Sequence, residues 1–311
     1  MRYGSILDTI GNTPLVELKS FSPHPGVQIF AKLEGMNPSG SVKDRIAIKM
    51  VEQAEAEGQL QPGSILLEPT SGNTGISLAM ISRVKGYKFV AVMPDNVTKE
   101  RQQLLELYGA KIIFSDGSRG SNGAVKLANE LVQEDRRYVM LYQYGNSANP
   151  LAHYQGTAPE IITDLPDLDV FVAGLGTGGT LTGSARRLQE YNPAIKVFAA
   201  EPMQGEGVQG LRSLDDGFVP PVFDSSLLDG RILVSSRNAI RRTRQLKDQE
   251  AIFTGPSGGA ALHVALRVAN SMDHGKVVII LADGGWKYLS EDLWTSELDE
   301  LEDTLEAKVL W

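Results

Sequence analysis

The lysine best placed for chemistry is Lys43, in the segment GMNPSGSVKDR (35–45). Small polar residues, proline and glycine form a turn, and Lys43 falls where the following helix is expected to begin. A cation at that position opposes the helix dipole, which lowers the pKa of a lysine. An imine-forming lysine needs such a lowered pKa. From this segment alone, an exposed lysine in an ordinary first helical turn remains the alternative interpretation.

A glycine-rich loop lies in DVFVAGLGTGGTLTG (169–183), between a predicted strand and a predicted helix. Backbone N–H groups at such a helix start bind phosphate, because the helix dipole favours an anion there. The residues expected to supply them are Gly176, Thr177, Gly178, Gly179 and Thr180. The spacing of Gly174, Gly176 and Gly179, with Glu201 ending the next strand, also matches a dinucleotide fingerprint. A nicotinamide-dependent oxidoreductase that uses the loop Gly174–Gly179 is therefore an alternative.

A third segment, PTSGNTG (69–75), follows a predicted strand and offers hydroxyl, amide and backbone donors at another helix start. This is an arrangement that binds carboxylates. A phosphate loop, a carboxylate loop and an activated lysine together indicate a pyridoxal phosphate site rather than a nicotinamide site.

The segment GPSGG (255–259) matches the nucleophile elbow of hydrolases. That motif needs an acid and then a histidine on later elements, and no such pair follows Ser257. We expect Ser257 to make a single hydrogen bond at a strand-to-helix turn.

The composition indicates an ordinary globular protein of one large or two medium domains, with 311 residues, 42% of them hydrophobic and 22% charged. A net charge of −8 argues against nucleic acid or an anionic membrane as partner. The chain has no cysteine, which excludes disulfides, cysteine-ligated metals and a thiol nucleophile. The histidines lack metal-ligand spacing, so no metal site is expected. The amino terminus lacks the features of a signal peptide, and we expect a cytoplasmic protein.

Short β-branched runs alternate with amphipathic helical stretches along the chain. The predicted strands cover 27–34, 64–69, 88–94, 111–114, 138–142, 169–175, 196–202, 232–236 and 276–283. This alternation predicts an α/β fold of right-handed βαβ units, with twisted, mainly parallel sheets flanked by helices. The acidic segment 296–311 has leucines at helical spacing and predicts a terminal docking helix.

Five motifs in this order resemble the cysteine synthase group of the fold-type II pyridoxal phosphate enzymes, which share the tryptophan synthase β-like architecture. They are IGNTPLV (10–16), NPSGSVKDR (37–45), PTSGNTGI (69–76), GTGGT (176–180) and GPSGGA (255–260). The resemblance runs from about Ile10 to Ser290.

Four further segments are similar to the cysteine synthase B branch, especially to actinobacterial O-phosphoserine sulfhydrylases that take sulfur from a carrier-protein thiocarboxylate. They are RQQLLELYGAKIIFS (101–115), LYQYGNSANP (141–150), GEGVQGLRSLDDGFVP (205–220) and DGGWKYLS (283–290).

The resemblance implies two α/β domains and a homodimer. Residues 37–145 would form a smaller, mobile amino-terminal domain. Residues 1–36 together with 146–311 would form a larger carboxyl-terminal domain that carries the cofactor phosphate loop.

The resemblance also implies the roles of the site residues toward pyridoxal 5′-phosphate. Lys43 would bind the cofactor as an imine and move the Cα proton, and the loop 176–180 would bind its phosphate. Asn73 would hydrogen-bond the 3′-oxygen of the pyridine ring, and Ser257 the ring nitrogen. The substrate carboxylate would be bound by Thr70, Ser71, Gly72, Thr74 and Gln143.

The implied reaction is a β-replacement that makes L-cysteine from an O-activated serine through an α-aminoacrylate intermediate. O-phosphoserine is favoured over O-acetylserine, because Arg212 could bind a phosphate through a charge-assisted fork. A solvated arginine beside Asp215 and Asp216 is the alternative interpretation. The sulfur donor would be sulfide or a carrier-protein thiocarboxylate, and the apolar end AKVLW could cover the cleft. A non-catalytic, cofactor-binding scaffold for a biosynthetic partner is the second alternative to this enzyme.

Overall fold

The computed structural model describes residues 2–70, 72–291, 293–295 and 309–310, and its strands form two sheets. The strands are β1 (Leu15–Glu17), β2 (Val27–Leu33), β3 (Ile65–Pro69), β4 (Lys88–Pro94), β5 (Lys111–Ser115), β6 (Tyr138–Met140), β7 (Val170–Gly174), β8 (Lys196–Pro202), β9 (Gly230–Val234), β10 (Gly275–Leu281) and β11 (Val309–Leu310). The larger sheet has the order β1-β2-β10-β7-β8-β9-β11 and the smaller β5-β4-β3-β6. Strands pair in parallel, except that β1 on β2 and β11 on β9 are antiparallel.

The helices alternate with the strands along the chain and cover both faces of the sheets. They are α1 (Lys43–Ala56), α2 (Asn73–Lys85), α3 (Lys99–Leu107), α4 (Gly120–Glu134), α5 (Ala148–Ala152), α6 (Ala158–Asp164), α7 (Gly179–Tyr191), α8 (Ser236–Glu250) and α9 (Pro256–Ala269), with a π-helical turn at His153–Thr157 between α5 and α6. Parallel pairing with helical crossovers is the α/β fold that the sequence predicts.

Each sheet is buried on both faces. In β7, Val170 and Val172 enter the hydrophobic cluster on one face, while Phe171 and Ala173 enter the cluster on the other. Successive side chains of a strand point to opposite faces, so an unbroken apolar run such as VFVA indicates a strand covered on both sides. The smaller sheet follows the same rule on its own two clusters.

Several predicted elements differ from the structure. The strand predicted over 232–236 lies at Gly230–Val234, because Ser235 caps the helix α8. The strand predicted over 276–283 ends at Leu281.

The strand predicted over 138–142 ends at Met140, because Tyr142 adopts a left-handed backbone with φ of 56° and turns the chain. The helix predicted over 296–311 lies mostly outside the described residues, but Val309–Leu310 is an extended strand paired with β9. The hypothesis that the end AKVLW covers the cleft falls mainly on residues that are not described.

The strands of the smaller sheet lie between Ile65 and Met140, inside the smaller domain predicted over 37–145. The division into a mobile and a fixed domain remains a prediction. No helix in the described part of the chain is long and apolar enough to cross a bilayer.

Candidate active site

Lys43 is the first residue of α1 and lies against the carboxyl end of β10. The N–H of Val42 donates to the carbonyl of Ala282 at 2.8 Å, which fixes the helix start to that strand end. No described residue accepts a hydrogen bond from the Lys43 side chain. Burial lowers its pKa, although Asp283 and Glu34 act in the opposite direction. A lowered pKa favours the neutral amine, which is the form that reacts with carbonyl groups.

A cavity of about 510 Å³ adjoins Lys43 and brings together candidate residues from four separate segments. The predicted cofactor-binding residues that line it are Lys43, Asn73, Gly176, Thr177, Gly178, Thr180 and Ser257. Gly179 lies directly behind this lining as the buried first residue of α7.

The glycine loop is shaped by close contacts that larger residues would break. Gly178 caps α7 with φ of 82°, and a β-carbon there would lie 2.6 Å from the β-carbon of Phe223. A β-carbon on Gly176 would lie 2.7 Å from the carbonyl oxygen of Gly210. The first N–H groups of α7 have no acceptor within the helix. The N–H of Gly179 donates to Thr177 Oγ1 at 3.3 Å. The other amides of the loop have no acceptor among the described residues, which suits a phosphate at a helix start.

The two threonine hydroxyls of this loop are held by side chains that the sequence does not reveal as site residues. Thr180 Oγ1 lies 3.1 Å from His153 Nε2, and Asn149 Nδ2 donates to Thr177 Oγ1 at 2.9 Å. Burial lowers the pKa of His153 well below its usual value, so its imidazole is neutral at physiological pH.

Asn73 and Ser257 reach the cavity from the first turns of two helices. Asn73 Nδ2 donates to Asp283 Oδ2 at 2.6 Å, which leaves its second N–H. Ser257 follows Pro256 at the start of α9, is buried, and makes no hydrogen bond from its hydroxyl to any described residue. Both side chains thus have a donor to offer to a group in the cavity.

A second cavity, of about 590 Å³, adjoins the first at Lys43 and Asn73. It is lined by most of the predicted substrate-binding residues, namely Thr70, Thr74, Gln143 and Arg212. Gly72 is buried at the start of α2 and does not line this cavity, and Ser71 lies outside the described residues.

The side chains around this second cavity hold one another in place. Thr70 Oγ1 accepts from the N–H groups of Gly72 and Gly75, at 3.1 and 3.2 Å. Thr74 Oγ1 donates to Gln143 Oε1 at 2.7 Å. The hydroxyl proton of Thr70 and one amide N–H of Gln143 remain as donors. Donors of this kind, next to a helix start, suit a carboxylate.

Arg212 faces this cavity from the loop between β8 and β9. Its guanidinium carbon lies 5.4 Å from the ring centre of Tyr144 and 4.7 Å from that of Phe218. Within the described residues it forms no ion pair with Asp215 or Asp216. This geometry disfavours the alternative of a solvated loop arginine, because the cation lies between two aromatic walls beside the cavity.

Arg101 is a cavity residue that sequence reasoning missed. It comes from the first turn of α3, is buried, and lies 4.9 Å from the ring centre of Tyr288 while lining the same cavity as Arg212. Its position depends on the packing of α3 against residues far along the chain, which no local spacing reveals.

The structure does not support a dinucleotide site at Glu201 or a metal site among the described residues. The buried carboxylate of Glu201 accepts from Arg231 and from the N–H of Leu214, each at 2.7 Å, so it is not free to bind a ribose. Among the described residues, no group of three or more histidine, aspartate or glutamate side chains could hold a metal ion.

Lys43 beside a glycine phosphate loop, on the carboxyl edge of a parallel sheet, defines a site for a phosphorylated carbonyl cofactor. A family model of pyridoxal-phosphate dependent enzymes matches residues 6–283, and the chain belongs to this family. The donor set and the unblocked glycine cradle fit pyridoxal phosphate.

Within this family the chain is similar to cysteine synthases. It is 43% identical to a probable cysteine synthase of Bacillus subtilis, with 93% of this chain and 96% of the relative covered. It is 40% identical to cysteine synthase B of Pseudomonas aeruginosa, over 94% of this chain and 98% of the relative. The crystal structure of a cysteine synthase from Entamoeba histolytica has a TM-score of 0.89 at 36% identity, covering 96% and 92% of the two chains. The predictions of fold type, cofactor and a pyridoxal-phosphate-dependent cysteine synthase are confirmed.

Proposed function

We propose that this enzyme makes L-cysteine by β-replacement on O-phosphoserine, with sulfide or a carrier-protein thiocarboxylate as the sulfur donor. The observation that carries the proposal is the position of Lys43, which borders both cavities. A phosphate loop lies on one side of it, and a carboxylate-binding loop with Arg212 lies on the other. O-acetylserine is the neutral competitor as substrate.

The residues of the first cavity hold and orient the cofactor. The amides of 176–180 bind its phosphate, Asn73 donates to the 3′-oxygen, and Ser257 hydrogen-bonds the ring nitrogen. When bound, pyridoxal phosphate supplies an electron sink for the charge left at Cα when the substrate loses its proton. A neutral serine at the ring nitrogen, in place of a carboxylate, does not stabilise a protonated ring.

Lys43 is the base that takes the Cα proton and later returns it. Burial lowers its pKa, which raises the fraction of neutral amine at physiological pH. Thr70, Thr74 and Gln143 hold the substrate carboxylate, so that Cα stays within reach of this amine.

Arg212 favours a phosphate as the leaving group. The rings of Tyr144 and Phe218 hold its guanidinium at the cavity wall, which limits the freedom lost when it pairs with an anion. A guanidinium binds phosphate oxygens through two parallel hydrogen bonds, which a neutral ester cannot reproduce.

We propose further that the sulfur donor enters through an open groove beside Arg212. The groove, about 1120 Å³ with its open mouth included, shares Arg101, Gly210 and Arg212 with the substrate cavity. It runs from the surface to the residues that would face the leaving group, so sulfide or an extended thiocarboxylate tail could approach along it.

The test compares two serine esters as substrates of the wild-type enzyme and of Arg212→Met. Charge-assisted hydrogen bonds contribute about 1.5–3 kcal/mol, so kcat/KM for O-phosphoserine should fall about 10- to 150-fold in the variant. The value for O-acetylserine should stay within about threefold, because that ester offers no phosphate to pair. Equal losses for both esters, or wild-type enzyme that does not prefer O-phosphoserine, would contradict the proposal.

A further inference from the structure

Lys287 is a fully buried lysine in the short helix Gly285–Tyr288 that follows β10, with no exposed side-chain surface. Its Nζ donates to Asn73 Oδ1 at 2.8 Å, which is its one side-chain hydrogen bond to a described residue. Burial of an ammonium is costly unless the charge serves a partner. Burial lowers the pKa of Lys287 to about 8, although Asp283 and Asp44 act in the opposite direction.

The carboxamide of Asn73 is held from both ends. Lys287 approaches its oxygen, while its Nδ2 donates to Asp283 Oδ2 at 2.6 Å. Tyr288 donates to the same carboxylate oxygen at 2.6 Å, which fixes Asp283 in turn. An ammonium only donates and an ionised carboxylate only accepts. A flipped Asn73 would place N–H against the ammonium and oxygen against the carboxylate, so its neighbours allow one orientation.

We propose that Lys287 is a positioning residue that orients the Asn73 carboxamide so that an N–H, and not the carbonyl oxygen, faces the 3′-oxygen of pyridoxal phosphate. The inference rests on the cofactor contact proposed for Asn73. A donor facing the 3′-oxygen favours its ionised form, whereas a carbonyl oxygen would favour the protonated form. The visible absorption of the bound cofactor reports which form is present.

A purely structural role for Lys287 predicts a different result. If the side chain only fills space, Lys287→Met restores an unbranched side chain of similar length and leaves the cofactor spectrum unchanged. The backbone contact in which Thr98 Oγ1 donates to the carbonyl of Lys287 survives in any variant. The cofactor spectrum therefore distinguishes a positioning role of Lys287 from a space-filling role, and protein stability does not.

The experiment records absorption spectra and cofactor dissociation constants for holoenzymes of wild type, Lys287→Met, Asn73→Ala and the double variant. Lys287→Met should shift the spectrum toward the protonated 3′-oxygen, in the same direction as Asn73→Ala. It should weaken cofactor binding about 2- to 10-fold, the effect of one hydrogen bond. The double variant should show no further spectral shift, because both changes remove the same contact. Lys276→Met, which removes a partly exposed lysine paired with Asp167, is the control and should match wild type.

Two results would overturn the inference. They also distinguish a failure of the role of Lys287 from a failure of the cofactor contact proposed for Asn73. A shifted spectrum in Asn73→Ala with a wild-type spectrum in Lys287→Met would refute the role of Lys287 and leave the Asn73 contact intact. A wild-type spectrum in Asn73→Ala would refute that contact and the inference with it. If Lys287→Met fails to fold by circular dichroism, Lys287→Arg decides, since it keeps a cationic donor. Lys287→Gln is its partner variant, since glutamine is uncharged, one bond shorter, and can also accept. A wild-type spectrum in Lys287→Arg with a shifted spectrum in Lys287→Gln supports the inference, and a wild-type spectrum in both variants opposes it.

Discussion

At the scale of single residues, burial lowers the pKa of the lysine at the centre of the site. Lys43 begins α1 beside two cavities, and its lowered pKa arises mainly from loss of water. From the sequence we expect this shift to come from the helix dipole, whereas in the structure burial is the cause that lowers the pKa of Lys43. Arg212 is instead oriented by two aromatic rings.

Replacing Lys43 tests its two roles. In Lys43→Ala we expect the cofactor to become removable by dialysis, because its covalent anchor is lost. Removal of the Cα proton, followed by exchange with deuterium from solvent, should slow by about 10²–10⁴-fold, the usual contribution of a positioned base. Lys49→Ala in the same helix is the control and should retain both properties. Retention of the cofactor and of proton exchange by Lys43→Ala would show that another group does this work.

At the scale of elements, the site forms where loops follow strands and helices begin. The glycine loop enters α7 from β7, and its shape depends on Gly178, whose positive φ and contact with Phe223 exclude a side chain. Glu68, at the end of β3, accepts from the N–H groups of Tyr142 and Gln143, each at 2.8 Å. Its carboxylate therefore ties the loop that carries Gln143 to the strand that leads to Thr70.

Gly178→Ala should weaken cofactor binding, an effect that backbone strain by itself does not produce. Gly217→Ala is a matched control, since Gly217 has φ of 84°, close to the 82° of Gly178, but nothing within 4 Å of an added β-carbon. Gly217→Ala should lose about 1–2 kcal/mol of unfolding free energy through the left-handed backbone. Gly178→Ala should lose more, because its β-carbon would also lie 2.6 Å from that of Phe223. Only Gly178→Ala should also raise the cofactor dissociation constant in a fluorescence titration. Equal cofactor affinities in the two variants would mean that the phosphate does not bind in this loop.

Glu68 should make the free energy of unfolding depend on pH. Burial raises its pKa from 4.5 to about 7, against the effect of its backbone hydrogen bonds. The folded state then binds more protons than the unfolded state between these values, so stability falls as pH rises from 4.5 to 7. The loss is about 3 kcal/mol. In urea titrations, the difference between wild type and Glu68→Gln should therefore shrink by this amount across the window. Parallel pH profiles for the two proteins would refute a raised pKa.

The sequence predicts the strands and the loops of the site well, because both depend on local patterns. Apolar runs such as VFVA predict a strand in a sheet that is covered on both faces. Glycines next to hydroxyl residues predict helix starts that bind anions. The short edge strands β1 and β11 have too few residues to show a pattern. Arg101, Glu68 and Lys287 act through contacts across long separations, 214 residues for Lys287 and Asn73, and no spacing rule reveals such pairs.

At the scale of the whole molecule, an acidic chain concentrates positive charge at one place. The net charge is −8, yet Arg101 and Arg212 both line the substrate cavity. A local positive potential of this kind attracts an anionic substrate while the remaining surface repels polyanions. The homodimer, the mobile smaller domain and the carrier partner expected from the resemblance remain predictions.

The most direct measurement is the product balance of the holoenzyme supplied with O-phosphoserine and sulfide. The account predicts that L-cysteine and inorganic phosphate form in equal amounts, with little pyruvate, because the sulfur nucleophile replaces the phosphate at Cβ. Phosphate release matched by pyruvate and ammonia would show elimination without replacement, and an absence of phosphate release would show that O-phosphoserine is not the substrate. Either result would contradict the central claim.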